Sequence, residues 1–127
     1  MKQALWLLAA LFAAPAHAYT ADELRGDCLA AEALYNEQKS SDPHEAIRSA
    51  RCLAYVSGFA DGFGIGDYLA DKVGVRLNAF CLPKDIDRPA RLVRAVVAHL
   101  ERQPPGSTTG TATLVAGALS RSFPCRE

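Results

Sequence analysis

Residues 87–102, DRPARLVRAVVAHLER, carry the clearest structural signal in the chain. Apolar residues recur there every three or four positions, which is the spacing of one face of a helix. Arginines occupy the other side. We therefore predict an amphipathic helix over about 88–102, which begins after Asp87 and packs against a core. Its predicted buried face consists of Leu92, Val93, Val96, Val97 and Leu100.

The same periodicity extends to both sides of this helix. A capping box at Thr20 opens a predicted helix over about 21–39. Asp42-Pro43 are typical of the start of a second helix, and a further helix is predicted over about 108–121. No alternating strand pattern extends far. The fold class that follows is all-α, a small bundle of four to five helices.

The glycine-rich stretch 62–66 allows two interpretations. Small residues recur every fourth position at Ala54, Gly58, Gly62 and Gly66, and such a ridge would let another helix approach closely. Alternatively, the second helix ends within this stretch, because glycine destabilises a helix interior by about 1 kcal/mol relative to alanine. We expect residues 64–79 to form an exposed connection with at most a short helix, ended by Gly74.

Four cysteines, Cys28, Cys52, Cys81 and Cys125, indicate two disulfides in a small exported domain. No CxxC spacing is present, so neither a zinc site nor a thioredoxin-like motif is indicated. Four cysteines allow three pairings. An antiparallel helix pair around a turn near residues 40–41 would bring Cys28 and Cys52 to the same height, which favours Cys28–Cys52 with Cys81–Cys125.

The first eighteen residues have the pattern of a secretory signal peptide. Lys2 is followed by an apolar run over 4–14 and by an Ala-x-Ala site that ends at Ala18. We predict cleavage after Ala18, a single mature domain over 19–127, and a periplasmic location. No later segment is apolar enough for stable insertion into a membrane.

Composition and histidine content exclude several functions. Fourteen basic and fourteen acidic residues give no net charge, which argues against nucleic-acid binding. Only His44 and His99 remain after signal cleavage, and neither has a neighbour at metal-ligand spacing. We therefore predict no catalytic residue, no cofactor and no metal, and a protein that is not an enzyme.

Three motifs occur in an order that resembles a known family. They are Cys52-Leu53-Ala54-Tyr55-Val56-Ser57-Gly58, Phe80-Cys81-Leu82-Pro83 and the ending Phe123-Pro124-Cys125. With the signal peptide, this arrangement resembles periplasmic immunity proteins of bacterial type VI secretion, which neutralise peptidoglycan-amidase effectors. The resemblance implies a helical, disulfide-bonded inhibitor that binds a cognate secreted amidase, occludes its active site and is often a homodimer.

The connection 64–79 is the best candidate for the contact with such a partner, because recognition residues commonly lie on loops that a rigid scaffold positions. Its predicted contact residues are Asp67, Tyr68, Asp71, Lys72 and Arg76. The alternative is a simple connector between two helices. Two other functions also fit the sequence: an acid-stress chaperone that exposes apolar surface at low pH, and an exported helical module with neither role.

Overall fold

The computed structural model describes residues 18–104 and 106–126, and they form an all-helical domain. Its four helices confirm the predicted fold class. We label them α1 to α4 in chain order; their bounds are Ala21–Tyr35, Pro43–Lys72, Arg88–Leu100 and Thr111–Ser122. The predicted signal peptide, except for Ala18, lies outside the described residues. No helix within the described residues is long and apolar enough to cross a membrane.

Helices α1 and α2 form an antiparallel pair. Cys28 of α1 is bonded to Cys52 of α2, and the Tyr19 ring meets the Tyr55 ring edge-on at 5.1 Å. The earlier residue of the first segment therefore contacts the later residue of α2, as expected for an antiparallel pair. Cys28 and Cys52 are completely buried. The predicted pairing Cys28–Cys52 is therefore confirmed, for the geometric reason given above.

Helices α3 and α4 supply the other half of the core. The predicted apolar face of α3 is buried in full, and four of the α4 residues join it: Leu114, Val115, Ala118 and Leu119. A second disulfide joins Cys81, before α3, to Cys125, after α4, which confirms the second predicted pairing. The Cys81 amide also donates to the Phe123 carbonyl at 2.8 Å. This junction fixes the segment that enters α3.

Three predicted helix ends were wrong by a few residues. Helix α1 ends at Tyr35 rather than near 39, because the chain turns through a left-handed residue at Glu37, with φ of 58°. Helix α3 ends at Leu100, where a turn follows. Helix α4 begins at Thr111, after the extended residue Gly110. Asp87 stands at the N-terminus of α3 as predicted, but its side chain makes no capping hydrogen bond.

Tyr19 anchors the start of the domain. Its hydroxyl donates to Asp27 at 2.6 Å, and its carbonyl accepts a hydrogen bond from the Thr111 hydroxyl of α4. Arg51 forms an ion pair with the same buried Asp27 at 2.9 Å and lies over the Tyr19 ring. Burial and the neighbouring Asp27 carboxylate raise the pKa of Tyr19, so its hydroxyl remains a proton donor.

Candidate functional site

Helix α2 extends far beyond its partner α1. Its 30 residues correspond to about 45 Å, against about 22 Å for the 15 residues of α1. Ala60 is the last fully buried residue of α2, so three further turns extend beyond the core. The chain then returns to α3 without regular structure. We call residues 61–87, which comprise these turns and the returning segment, the distal surface.

Contacts hold the returning segment against the helix. The Phe63 and Phe80 rings stack with their centroids 3.9 Å apart. Arg88, at the start of α3, forms an ion pair with Asp61 at 2.8 Å, and the Leu77 amide donates to Asp67 at 3.4 Å. The projecting helix and the returning chain therefore form a single surface.

The prediction that residues 64–79 form a connection was wrong for its first half. The glycine-rich stretch remains helical, and α2 runs without a break to Lys72. The glycines there face open space, so the missing side chains leave no gap in the core. Gly74 ends the helix as predicted, with φ of 79°. Its amide and that of Val75 return to the carbonyls of Asp71 and Ala70, the hydrogen-bond pattern of a Schellman motif.

The structure brings the five predicted contact residues together at this projecting end. A shallow depression is lined by four of them, Asp67, Tyr68, Asp71 and Arg76, together with Gly64 and Asn78. Lys72 lies beside it, with its ammonium 4.8 Å from the centre of the Tyr68 ring. An aromatic ring, two carboxylates and two cations therefore lie within one accessible area.

The distal surface is also unusually apolar. Among the described residues, ten large apolar side chains are exposed, and seven belong to this surface. They are Ile65, Tyr68, Leu69, Val73, Val75, Leu77 and Ile86. Exposed apolar side chains concentrated in this way, with charged residues around them, are typical of surfaces that contact another molecule.

Sequence reasoning missed the second half of this surface. A cleft next to the first depression shares Gly64 and Asp67 with it and continues over Phe63, Phe80 and the segment 81–85. Ile86 directly follows Asp85, the last residue of that segment, and is 95% exposed. The available signal was a single isoleucine between two aspartates in Asp85-Ile86-Asp87, outside any helical stripe.

The described part of the chain offers no group of three His, Cys, Asp or Glu side chains that could hold a metal ion. His44 is exposed at the start of α2, whereas His99 is buried in α3. All four cysteines are in disulfides. The distal surface offers exposed apolar side chains, charged groups and hydrogen-bonding groups.

Comparison with known proteins identifies the family. The sequence profile described as Rap1a immunity proteins matches residues 20–125, which is nearly all of the predicted mature domain. No curated protein and no solved structure gives a significant match. The match spans both disulfides and all four helices, and it agrees with the resemblance drawn from the cysteine motifs. The chain therefore belongs to the Rap1a immunity protein family, whose members are not enzymes but neutralise the amidase effectors of type VI secretion.

Proposed function

We propose that this chain is a periplasmic immunity protein that binds a cognate peptidoglycan amidase and covers the active site of the amidase with its distal surface. The observation that carries this proposal is the concentration of exposed apolar side chains at the projecting end of α2. Leaving such side chains in water is unfavourable, and burial against a partner recovers that free energy.

The shape of the projecting end of α2 suits an inhibitor that covers an active site. An inhibitor needs no catalytic group, only a firm surface that excludes the substrate. The helical turns 61–72 and the disulfide at Cys81 hold the distal surface in place before the partner arrives, and this reduces the ordering cost of binding. Tyr68, at 59% exposure, is the largest aromatic contact that the surface offers, and aromatic residues commonly dominate interface energies.

The test uses the mature chain, residues 19–127, and a purified amidase identified by pull-down from periplasmic and secreted fractions. Wild-type chain should inhibit muropeptide hydrolysis with one-to-one stoichiometry. Tyr68→Ala and Arg76→Ala should each raise Kd at least tenfold, which corresponds to about 1.4 kcal/mol.

Arg48→Ala serves as the matched control, because Arg48 lies near the other end of α2 and makes only a partly exposed ion pair with Glu45. Its Kd should stay within twofold of the wild-type value. If Tyr68→Ala and Arg76→Ala bind as tightly as Arg48→Ala, the distal surface is not the contact. If the wild-type chain binds no amidase, the proposed function is wrong.

We further propose that the chain forms a homodimer through the outer face of α2, which we define as Ile47, Ala54, Gly58, Gly62 and Ile65; of these, Gly62 and Ile65 of the distal surface then face the second copy and not the amidase. Apart from the adjacent backbone of α2 itself, no atom of the described residues would lie within 4 Å of a β-carbon added at Gly58 or Gly62. The ridge of small residues is therefore unoccupied by the chain's own helices, whereas Ile47 and Ile65 beside it are exposed. A second copy can approach closely along such a face and pair with it symmetrically.

Light scattering coupled to size-exclusion chromatography tests the homodimer. Wild-type chain should elute with twice the monomer mass, and Gly58→Arg should elute as a monomer because the new side chain blocks close approach. Gly26→Arg on α1 is the control, since Gly26 also has open space around it but lies outside this face. A monomeric wild-type chain, or a dimer that survives Gly58→Arg, would contradict the proposal.

We also propose that the chain is exported to the periplasm and that its signal peptide is cleaved after Ala18. Two disulfides indicate an oxidising compartment. The tertiary contacts described above begin at Tyr19, directly after the expected cleavage site. N-terminal sequencing of the protein from a periplasmic fraction should therefore begin at Tyr19. A sequence that begins at Met1 would contradict export by a cleaved signal peptide.

A further inference from the structure

The segment between the Cys81–Cys125 disulfide and α3 presents a single apolar side chain to solvent. We call residues 82–87 the Ile86 loop. Ile86 is the most exposed large apolar residue in the described part of the chain, at 95%. Its neighbours Leu82 and Pro83 are half-buried and line the cleft of the distal surface. Ile86 is therefore the one apolar side chain of the loop that packs against almost nothing in its own domain.

The backbone around Ile86 is nevertheless held firmly. Cys81 is fixed by its disulfide and by its amide bond to Phe123. On the other side, the Arg88 amide donates to the Asp85 carbonyl at 3.2 Å, and the Asp85 side chain forms an ion pair with Arg91. A side chain on a braced loop loses little conformational freedom on binding, and this favours its use as an interface anchor.

The charged residues beside Ile86 indicate the chemistry of a partner surface that could receive this side chain. The Asp85 carboxylate is engaged by Arg91. Asp87, however, makes no capping hydrogen bond to α3, although it stands at the N-terminus of that helix, and it is exposed. A partner that receives Ile86 would therefore meet an available carboxylate next to it. A basic group at the rim of an apolar pocket is complementary to this pair.

We propose that Ile86 is an anchor residue that inserts into an apolar pocket of the cognate amidase, with a basic side chain of the amidase paired to Asp87. This inference rests on the proposed function and deepens it. The cleft at the foot of the loop shares Gly64 and Asp67 with the depression around Tyr68. The Ile86 loop and the end of α2 thus contact the same partner from two sides of one surface.

The test measures amidase affinity by calorimetry and inhibition by muropeptide hydrolysis. Ile86→Ala should raise Kd at least tenfold, and Ile86→Leu should recover most of the affinity. Asp87→Asn should weaken binding about threefold at low salt and have a smaller effect at high salt, because exposed ion pairs are screened. Leu34→Ala on α1 is the control, since Leu34 is also exposed but lies outside the distal surface; its Kd should remain within twofold of wild type.

The outcomes separate this inference from the proposed function. Thermal unfolding of Ile86→Ala should match wild type, because the side chain is not part of the core. If Ile86→Ala binds within twofold of wild type while Tyr68→Ala loses affinity, the anchor is wrong and the proposed function stands. If Ile86→Ala changes the oligomeric mass and not the affinity for the amidase, the residue contacts a second copy and the inference is overturned. A wild-type chain that binds no amidase overturns both.

Discussion

At the scale of single residues, Glu37 shows how a helix end tolerates local strain. It adopts a left-handed conformation, with φ of 58°, and so allows the Gln38 amide to donate to the Ala33 carbonyl at 3.0 Å. A residue with a β-carbon is disfavoured there by about 1–2 kcal/mol, whereas glycine is not. The sequence offers no glycine at this position, which is why the predicted helix extended too far.

Glu37→Gly should therefore stabilise the domain. Relief of the left-handed strain outweighs the extra freedom of glycine in the unfolded chain, and the expected net gain is about 0.5–1 kcal/mol. Urea unfolding followed by circular dichroism measures it. Glu37→Ala keeps the β-carbon and should bring no gain; an equal gain in both variants would show that charge, not conformation, is responsible.

His99 is the second residue whose surroundings can be tested. It is buried in α3, its Nε2 lies 3.2 Å from the Gln103 side-chain nitrogen, and its Nδ1 has no hydrogen-bond partner within the described chain. Burial lowers the pKa of His99, and the positive charges of Arg121 and Arg102 lower it further. A β-carbon at Gly117 of α4 would lie only 3.3 Å from its Nε2, so α4 leaves little room for the ring to move.

The folded domain should consequently lose stability as the pH falls below about 6.5, the ordinary pKa of histidine in an unfolded chain. Below that value the unfolded chain binds a proton that the folded His99 resists, so acid favours unfolding. His99→Gln should flatten the dependence of unfolding free energy on pH below about 6.5. A slope that stays the same in His99→Gln would contradict the assignment to His99.

At the scale of elements, the end of α2 determines the geometry of the distal surface. Gly74 adopts φ of 79° and ends the helix through the hydrogen bonds of its own amide and that of Val75. Gly74→Ala introduces a β-carbon in a left-handed conformation and should destabilise the domain by about 1 kcal/mol. Urea unfolding measures this loss. Gly64→Ala is the control, because Gly64 is helical with open space around it and alanine should stabilise it slightly.

The elements differ in how far the sequence predicts them. Helix α3 was predicted together with the five large aliphatic residues of its buried face, because Leu92, Val96 and Leu100 repeat with helical spacing. The far half of α2 was not predicted as a helix. The glycine spacing there fits both a helix and a loop, and the hydrophobic pattern is weak. Phe80 stacks on Phe63, seventeen residues earlier in the chain, and a contact between positions so far apart in sequence leaves no local signal.

At the scale of the whole molecule, the two disulfides perform different tasks. Cys28 and Cys52 are enclosed in the core between α1 and α2, whereas Cys81 is exposed and Cys125 half-buried. Their pairing could be predicted because a helical hairpin fixes the height of the first pair. The contact role of Asp67, Tyr68 and Arg76 could only be suggested, because interface residues depend on a partner that one sequence does not contain.

Dithiothreitol under native conditions should reduce Cys81–Cys125 first, because attack by a thiolate requires access to the sulfur atoms. Alkylation with iodoacetamide followed by peptide mass spectrometry should find the label on Cys81 and Cys125 well before Cys28 and Cys52. Early label on Cys28 would show that α1 opens more readily than its burial indicates. In 6 M guanidinium, where the packing is gone, both bridges should react at similar rates.

The engagement of Tyr19 has a practical consequence for recombinant work. Because its ring, hydroxyl and carbonyl contact α1, α2 and α4, the residue cannot be treated as a dispensable tail. An expression plasmid whose coding region starts at Thr20 would remove Tyr19. The buried carboxylate of Asp27 would then keep its ion pair with Arg51 but lose the hydrogen bond from the Tyr19 hydroxyl. A purification tag is better fused at the C-terminal end of the chain, where the added residues follow the Cys81–Cys125 disulfide and leave the contacts of Tyr19 intact.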